Sequence, residues 1–123
     1  MKNHQLIRLL VATILYEFLL GCHAAPITGG DLEGMKLIDG IYEASSRHGP
    51  NSAAVKITIH EGRISDVQLT RHMASWKGKR ADIIIPQRIM AEQSTRVDVV
   101  SGATNSSIVI MNAVQKALEK AYE

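Results

Sequence analysis

Residues 55–60, Val-Lys-Ile-Thr-Ile-His, alternate apolar and polar side chains without a break. This two-residue period places the apolar side chains on one face of a β-strand and the polar ones on the other. Glu61-Gly62 is a typical tight-turn sequence, so Arg63–Thr70 is predicted to return as the second strand of a hairpin. A chain with this segment must build a sheet that has one buried face.

The returning strand does not keep a single period, because Ile64 is followed by Val67 and Leu69. We expect a β-bulge near Ser65-Asp66, since one extra residue exchanges the two faces of a strand and restores the facing.

Two more strands are predicted on either side of this hairpin. Gly40–Ser45 precedes it and contains residues that are compatible with a strand. A turn at Asn51-Ser52, after Gly49-Pro50, separates that strand from the hairpin. Val97–Val100 is predicted as a further short strand.

Two helices are predicted after the hairpin. From Ser106 onward, apolar residues recur every three or four positions, the period of an amphipathic helix: Ile110, Ala113, Val114, Ala117, Leu118 and Ala121. Its predicted exposed face is polar: Asn112, Gln115, Lys116, Glu119 and Lys120. A short helix is predicted between Asp82 and Gln93 with Pro86 near its first turn, and Arg71–Arg80 is predicted as a loop. The predicted fold class is α+β, a small antiparallel sheet with a short helix and a C-terminal helix packed on it.

The composition limits the classes of function. A chain of 123 residues with 46% hydrophobic and 21% charged residues is typical of one folded domain. A net charge of +2 gives no nucleic-acid footprint, so no nucleic-acid partner is expected. The single cysteine excludes an internal disulfide or a cysteine-based zinc site. His48, His60 and His72 lack ligand-like spacing, and no metal site is predicted.

The first 21 residues resemble a bacterial secretion signal. Lys2 and Arg8 supply positive charge, and the apolar stretch Leu9–Leu20 is too short to span a membrane as a helix. The junction Leu19-Leu20-Gly21-Cys22 resembles the lipobox of bacterial lipoproteins, which implies cleavage before Cys22 and acylation of its thiol. An ordinary cleaved signal, or a buried free cysteine in a helix, is the alternative.

The resulting domain assignment has three parts. Residues 1–21 are predicted to be a lipoprotein signal peptide, residues 22–36 a tether and residues 37–123 the folded domain. The predicted location is outside the cytoplasm, with the domain held at a membrane by the lipid on Cys22.

Asp98-Val99-Val100-Ser101-Gly102-Ala103-Thr104 lies where a predicted strand gives way to the C-terminal helix. Small residues let a ligand approach the backbone closely, and the first N–H groups of a helix favour a phosphate. The alternative is that Thr104, Asn105 or Ser106 simply caps the helix, as hydroxyl and amide side chains commonly do.

The same segment resembles the flavinylation motif of the FMN-binding domain family, in which Asp, two spacers, Ser or Thr, Gly, Ala and Thr or Ser occur together. The similarity in order and spacing covers roughly Leu37–Tyr122. It includes Asp39-Gly40-Ile41-Tyr42, Glu61-Gly62-Arg63-Ile64 and Ile85–Gln93. That family includes the flavin-bearing subunits of the sodium-pumping NADH:quinone reductase and of Rnf-type complexes, and also small lipid-anchored proteins.

The resemblance implies covalent FMN, joined by a phosphoester to Thr104 and installed by a separate flavin transferase. Ser101, Gly102 and Ala103 are then cofactor-binding residues at the attachment point, and Asp98 serves the transferase or holds the turn. The implied function is electron transfer, as a carrier or a subunit of an oxidoreductase system with a membrane redox partner. A lipid-anchored module that holds FMN non-covalently or carries no flavin, and a secreted structural domain, are the alternatives.

Trp76 lies in the predicted loop beside Lys77, Lys79 and Arg80. Stacking on the flavin and contact of the cations with anionic lipid headgroups are functional interpretations. The simpler one is an aromatic side chain that covers an apolar patch beside a solvated basic run. Members of the family commonly have a Thr-Pro-Gly-like turn in this region, where this chain has Met73-Ala74-Ser75-Trp76.

Overall fold

The computed structural model describes residues 25–122, together with the isolated residues Asn3 and Arg8. The predicted signal peptide, apart from Asn3 and Arg8, and the first tether residues, Cys22 to Ala24, lie outside the described residues. The elements in chain order are β1 (Gly40–His48), β2 (Asn51–His60), β3 (Arg63–Met73), a 3₁₀ helix (Gly78–Arg80), α1 (Ala81–Glu92) and α2 (Thr104–Leu118). This is the α+β arrangement that the sequence predicts.

The three strands form one antiparallel sheet in the order β1-β2-β3. The hairpin turns at Glu61-Gly62, where both residues have positive φ, 51° and 71°, as the favoured two-residue turn requires. The turn between β1 and β2 is Gly49-Pro50, and Asn51-Ser52, predicted as that turn, already pairs within β2. The turn is tighter than predicted because Gly49, with a φ of 57°, adopts the left-handed conformation.

The predicted bulge in β3 is confirmed. Thr58 pairs with Asp66 and Ile59 with Ile64, which leaves Ser65 as the extra residue. Ile64 is consequently buried on the same face as Ile59.

A second bulge in β3, absent from the sequence prediction, leaves Thr70 unpaired between Leu69 and Arg71. It exchanges the faces of the strand once more. His72 therefore pairs with the buried Ala53, and only 3% of the His72 side chain is exposed.

Helix α2 lies across β1 and β2, and α1 packs against β3 and α2. The amino end of α2 lies at the start of β2, where Ser106 contacts Asn51. Its carboxyl end leads to the bridge between Leu37 and Tyr122, next to the start of β1. The core is aliphatic, as predicted, and includes Val55, Ile57, Ile59, Ile64, Ile85, Ile89, Val109, Ile110, Val114 and Leu118.

Residues 25–32, which we call the N-terminal strap, pack on α2 and on the chain before it, whereas a flexible tether was expected there. The backbone N–H of Thr28 and its hydroxyl both donate to Oδ1 of Asn112, and the Asn112 amide donates to the carbonyl of Pro26. Gly30 exchanges hydrogen bonds with Thr95. The strap is thus part of the folded domain.

The strap also explains why the predicted exposed face of α2 is partly wrong. Asn112 and Gln115 are buried, at 7% and 8% exposure, because the strap and its neighbours cover them. Gln115 accepts from the Thr95 hydroxyl at 2.8 Å and donates to Tyr122. Lys116 on the same helix is exposed, as predicted.

Two further element predictions need correction. Val97–Val100 is not a strand, because its inward N–H groups, those of Val97 and Val100, donate to Met111 and Ser107 of α2 and not to a neighbouring strand. Pro86 lies in the second turn of α1, which begins earlier than the proline position suggests. Among the described residues, no helix combines the length and apolar character needed to cross a membrane.

Candidate functional site

The segment before α2 forms a tight turn, in which the N–H of Ala103 donates to the carbonyl of Val100 at 2.9 Å. Gly102, the third residue of this turn, has a φ of 78°, which is characteristic of a type II turn. A Cβ atom on Gly102 would meet no atom within 4 Å. The backbone conformation, and not lack of space, therefore requires glycine here.

Ser107, inside the first turns of α2, holds this turn in place. Its hydroxyl accepts from the N–H of Val100 at 3.0 Å and donates to the carbonyl of Ala103 at 2.7 Å. Ser107 is fully buried, so its two bonds satisfy polar groups that water does not reach. The sequence interpretation gave this serine no role distinct from its neighbours.

Thr104 is the first residue of α2 and is exposed. Ala103 occupies the cap position, and no side chain caps the helix. Capping by Thr104, Asn105 or Ser106 is therefore not what the structure shows. The Thr104 hydroxyl makes no hydrogen bond within residues 25–122, and the first-turn N–H groups suit an anion.

Arg88, on α1, fastens the residues just before the turn. Its guanidinium donates to the carbonyls of Asp98, at 2.6 Å, and Val99, at 3.3 Å. Asp98, Ser101, Gly102 and Thr104 are exposed, and Ala103 between them is buried at 4% exposure. No sequence signal identifies Arg88, because its partners are backbone carbonyls on another element.

An open cavity of about 590 Å³ lies next to the amino end of α2. Its wall joins the β1–β2 turn, the end of β3 and the following loop: Pro50, Asn51, His72, Met73, Ala74, Ser75 and Lys79. Asn51 contacts Ser106 in the first turn of α2, at 3.3 Å between Oδ1 and Oγ. We call it the loop cavity, and its volume lies in the range of small-molecule sites. A second open cavity, of about 440 Å³, lies along Val97–Val99.

His72 and Asp82 form a pair beside the loop cavity that sequence reasoning missed. Nδ1 of His72 is hydrogen-bonded to the Asp82 carboxylate at the start of α1. Nε2 of the same ring is buried and has no partner in the described part of the chain. A buried polar atom without a partner is uncommon and is the kind of group that a ligand or an ordered water satisfies.

The comparison with protein families decides what this site belongs to. The model of the FMN-binding domain matches residues 48–119, which include the loop cavity, the turn and α2. The chain belongs to the FMN-binding domain family. The predicted resemblance is thereby confirmed at the level of the family.

Individual relatives agree with this assignment. This chain is 38% identical over 87 residues to an uncharacterized protein of Treponema pallidum (strain Nichols), a match that covers 67% of the chain. The chain spans 23% of that relative's length. A solved structure, the CPE2226 protein of Clostridium perfringens, is similar with a TM-score of 0.55. The match covers 69% of this chain and 88% of the solved chain. The two sequences are 20% identical, so the match shows a shared fold.

The residues of the domain fit FMN. An uncapped helix start offers N–H groups to a phosphate, an exposed hydroxyl stands at the same point, and an open cavity with Asn51 and Lys79 in its wall lies beside it. The roles predicted for Thr104, Ser101, Gly102, Ala103 and Asp98 stay predictions. Within the described ranges, no group of three or more metal-ligating side chains is clustered.

The environment of Trp76 differs from the simpler sequence interpretation. Trp76 is 77% exposed, more than is expected of an aromatic residue that covers an apolar patch. The ammonium of Lys77 lies over its ring, 5.5 Å from the ring centre, in a cation–π contact. Trp76 is thus a large apolar side chain left in solvent next to the site.

Proposed function

We propose that this protein is an extracytoplasmic, lipid-anchored flavoprotein that transfers electrons through FMN esterified to Thr104. The observation that carries the proposal is the exposed Thr104 hydroxyl at the uncapped start of α2, inside the motif of a family that binds FMN. The bound flavin supplies one- and two-electron redox chemistry, and the protein supplies position and electrostatics.

The turn favours attachment of the phosphate at this point. Gly102 and Ala103 present no side chain larger than a methyl group near the hydroxyl. The free N–H groups and the positive end of the helix dipole stabilise the phosphate charge there. The bonds from Ser107 and Arg88 hold the turn before any cofactor arrives.

We assign the flavin ring to the loop cavity rather than to the cavity along Val97–Val99. The loop cavity is lined by Lys79 and Asn51, which provide donors and a positive charge. The other cavity is bordered by Glu92 and Asp98 as well as Arg96. A reduced flavin carries negative charge, which the first lining favours more than the second.

Attachment requires a separate flavin transferase in this proposal. A threonine hydroxyl is a weak nucleophile and needs a base or a metal to activate it. Thr104 has no such group hydrogen-bonded to it among residues 25–122. The protein is accordingly proposed as a carrier, or a subunit of an oxidoreductase system, whose membrane redox partner accepts or delivers the electrons. Cys22 would carry the lipid.

The test is flavin fluorescence that stays with the protein band in a denaturing gel, after co-expression with a flavin transferase. We expect fluorescence for the unchanged chain, none for Thr104→Ala and retained fluorescence for Thr104→Ser. Thr70→Ala removes an exposed threonine hydroxyl on β3, outside the motif, and serves as the matched control. An intact mass without an added FMN moiety would contradict covalent attachment.

The second candidate is a lipid-anchored module that holds FMN non-covalently or carries no flavin. The loop cavity favours non-covalent binding, because its lining does not include Thr104. In that case flavin copurifies with the native protein and is released on denaturation. Thr104→Ala would then leave the flavin content unchanged.

A further inference from the structure

The N-terminal strap brings the start of the described chain to the site. The N–H of Ala25 lies 3.5 Å from Oδ1 of Asn105, the residue after Thr104, and Ala25 itself is 5% exposed. Cys22 precedes Ala25 by three residues, and three residues of fully extended chain reach at most about 11 Å. A lipid on Cys22 therefore leaves the domain close to the amino end of α2.

The loop that carries Trp76 is fixed at the same end of the molecule. A Cβ atom on Gly78 would lie 2.3 Å from Oγ of Ser106, so the loop backbone packs directly on the first turn of α2. The N–H groups of Gly78 and Lys79 bond to Ser75, which braces the loop internally. The exposed indole of Trp76 is therefore held close to the first residue of the N-terminal strap by a loop with its own internal hydrogen bonds.

Charged side chains are unevenly distributed between the two ends of the domain. Exposed cations lie at its amino end, on the Trp76 loop and beside the β1–β2 turn: Lys77, Lys79, Arg80 and Arg47. Asp98, in the segment before α2, is an exposed acid, and the carboxylate of Asp82 is bonded to His72. Exposed acids lie at the other end of the molecule, at Asp39, Glu61, Glu92 and Glu119, with the cations Lys36, Arg63 and Lys120 among them.

We propose that the amino end of α2 faces an anionic lipid surface, with Trp76 at the headgroup level and Lys77, Lys79 and Arg80 against the phosphates. The inference rests on the lipid anchor of the proposed function. Tryptophan favours the membrane–water interface, and each cation near an anionic surface raises membrane affinity about fivefold. An FMN phosphoester adds one negative charge at this end and leaves it basic.

The consequence for the proposed function is geometric. Thr104, Ala25 and the Trp76 loop share one end of the domain, so a flavin on Thr104 is held next to the membrane. Electrons are then exchanged with a partner embedded in, or lying on, that membrane. A soluble protein approaching from the opposite side meets the acidic end of the domain instead.

The experiment uses the full lipidated chain in mixed phosphatidylcholine and phosphatidylglycerol vesicles. Trp76 is the single tryptophan of the sequence, so its emission reports this surface alone. We expect a blue shift on binding and quenching by lipids brominated on the acyl chain near the headgroup. A triple variant should reduce that quenching by roughly half or more, because three headgroup contacts are lost. It combines Lys77→Gln, Lys79→Gln and Arg80→Gln.

Two comparisons make the test specific. Lys36→Gln, Arg63→Gln and Lys120→Gln remove three exposed cations from the opposite end and should leave quenching unchanged. A six-residue Gly-Ser insertion before Ala25 should reduce it, because the anchor then no longer holds the domain close. Equal quenching in both triple variants, or none in the parent chain, overturns the proposed orientation.

Intact mass separates the two levels of the proposal. Acyl chains on Cys22 without Trp76 quenching contradict the orientation and leave the anchor standing. An intact mass without acyl chains contradicts the anchor, and the orientation with it. Neither result depends on flavin, so the attachment to Thr104 is judged independently by the gel assay.

Discussion

The carboxylate of Asp39 accepts a hydrogen bond from the backbone N–H of Gly62, at 3.0 Å, and a second from Glu61, at 2.9 Å. Two segments that carry the family resemblance thus meet, 23 residues apart in sequence, at the carboxyl end of α2. These bonds, that of Gly62 foremost, hold the pKa of Asp39 below its ordinary value, and the nearby His60 acts in the same direction.

Asp39→Asn should therefore lower stability in a pH-dependent way. A lowered folded-state pKa gives stability that is fully present above the unfolded pKa of about 3.9 and is lost as pH falls through the folded value. The melting temperatures of the two proteins should differ most near neutral pH and converge in acid. A difference that is constant from neutral pH into acid would contradict this account.

Ser107→Ala should destabilise the domain by about 1–3 kcal/mol, because it leaves the buried N–H of Val100 without a partner. The measurement is urea unfolding. Ser101→Ala, which removes an exposed hydroxyl from the same turn, should stay within about 0.5 kcal/mol of the parent. Equal effects of the two changes would show that the hydroxyl of Ser107 does not hold the turn.

Gly102→Ala should cost about 1–2 kcal/mol, since an L-residue is strained at a φ of 78° even where its Cβ has space. Gly102→Asn should cost less, because asparagine tolerates the left-handed region. Gly30→Ala is the matched control, since its Cβ is equally unobstructed and its φ is not in that region. Urea midpoints rank the three variants, and a loss for Gly30→Ala as large as for Gly102→Ala would exclude backbone strain as the cause.

Asn112→Ala should release the N-terminal strap, because its side chain provides three of the hydrogen bonds that hold Pro26 and Thr28. We expect faster amide exchange of residues 25–30 and a loss of about 1–3 kcal/mol. Lys116→Ala, an exposed position on the same helix, should change neither. Unchanged exchange in Asn112→Ala would mean that other contacts hold the strap.

Flavin attachment should raise the melting temperature. Tyr42, Trp76 and Tyr122 are the aromatic residues after Cys22, and none of them belongs to the fully buried core. A flavin ring in the loop cavity adds buried apolar contact that these side chains do not provide. Calorimetry of the chain with and without FMN tests this, and identical transitions would place the ring outside the cavity.

Much of the sheet was predictable because its determinants are local. The alternation at residues 55–60, the Glu61-Gly62 turn and the broken period that places a bulge at Ser65 all act within a few residues. The bulge at Thr70 was not predicted, because the sequence after Leu69 has no apolar pattern to break. In the structure this bulge turns His72 inward, where it pairs with Ala53 on β2 and bonds to Asp82 on α1.

For the site, the sequence by itself determined the motif, its glycine and the hydroxyl of Thr104, because these follow from residue identity and order in one short segment. Only the tertiary structure decided that Ser107 and Arg88 hold that segment, that the strap covers Asn112 and Gln115, and that Val97–Val100 lies against α2 instead of joining the sheet. Each of these depends on hydrogen bonds between elements separated along the chain or in space. A polar side chain looks the same in the sequence whether water or another segment supplies its partner, so the folded arrangement alone distinguishes the two.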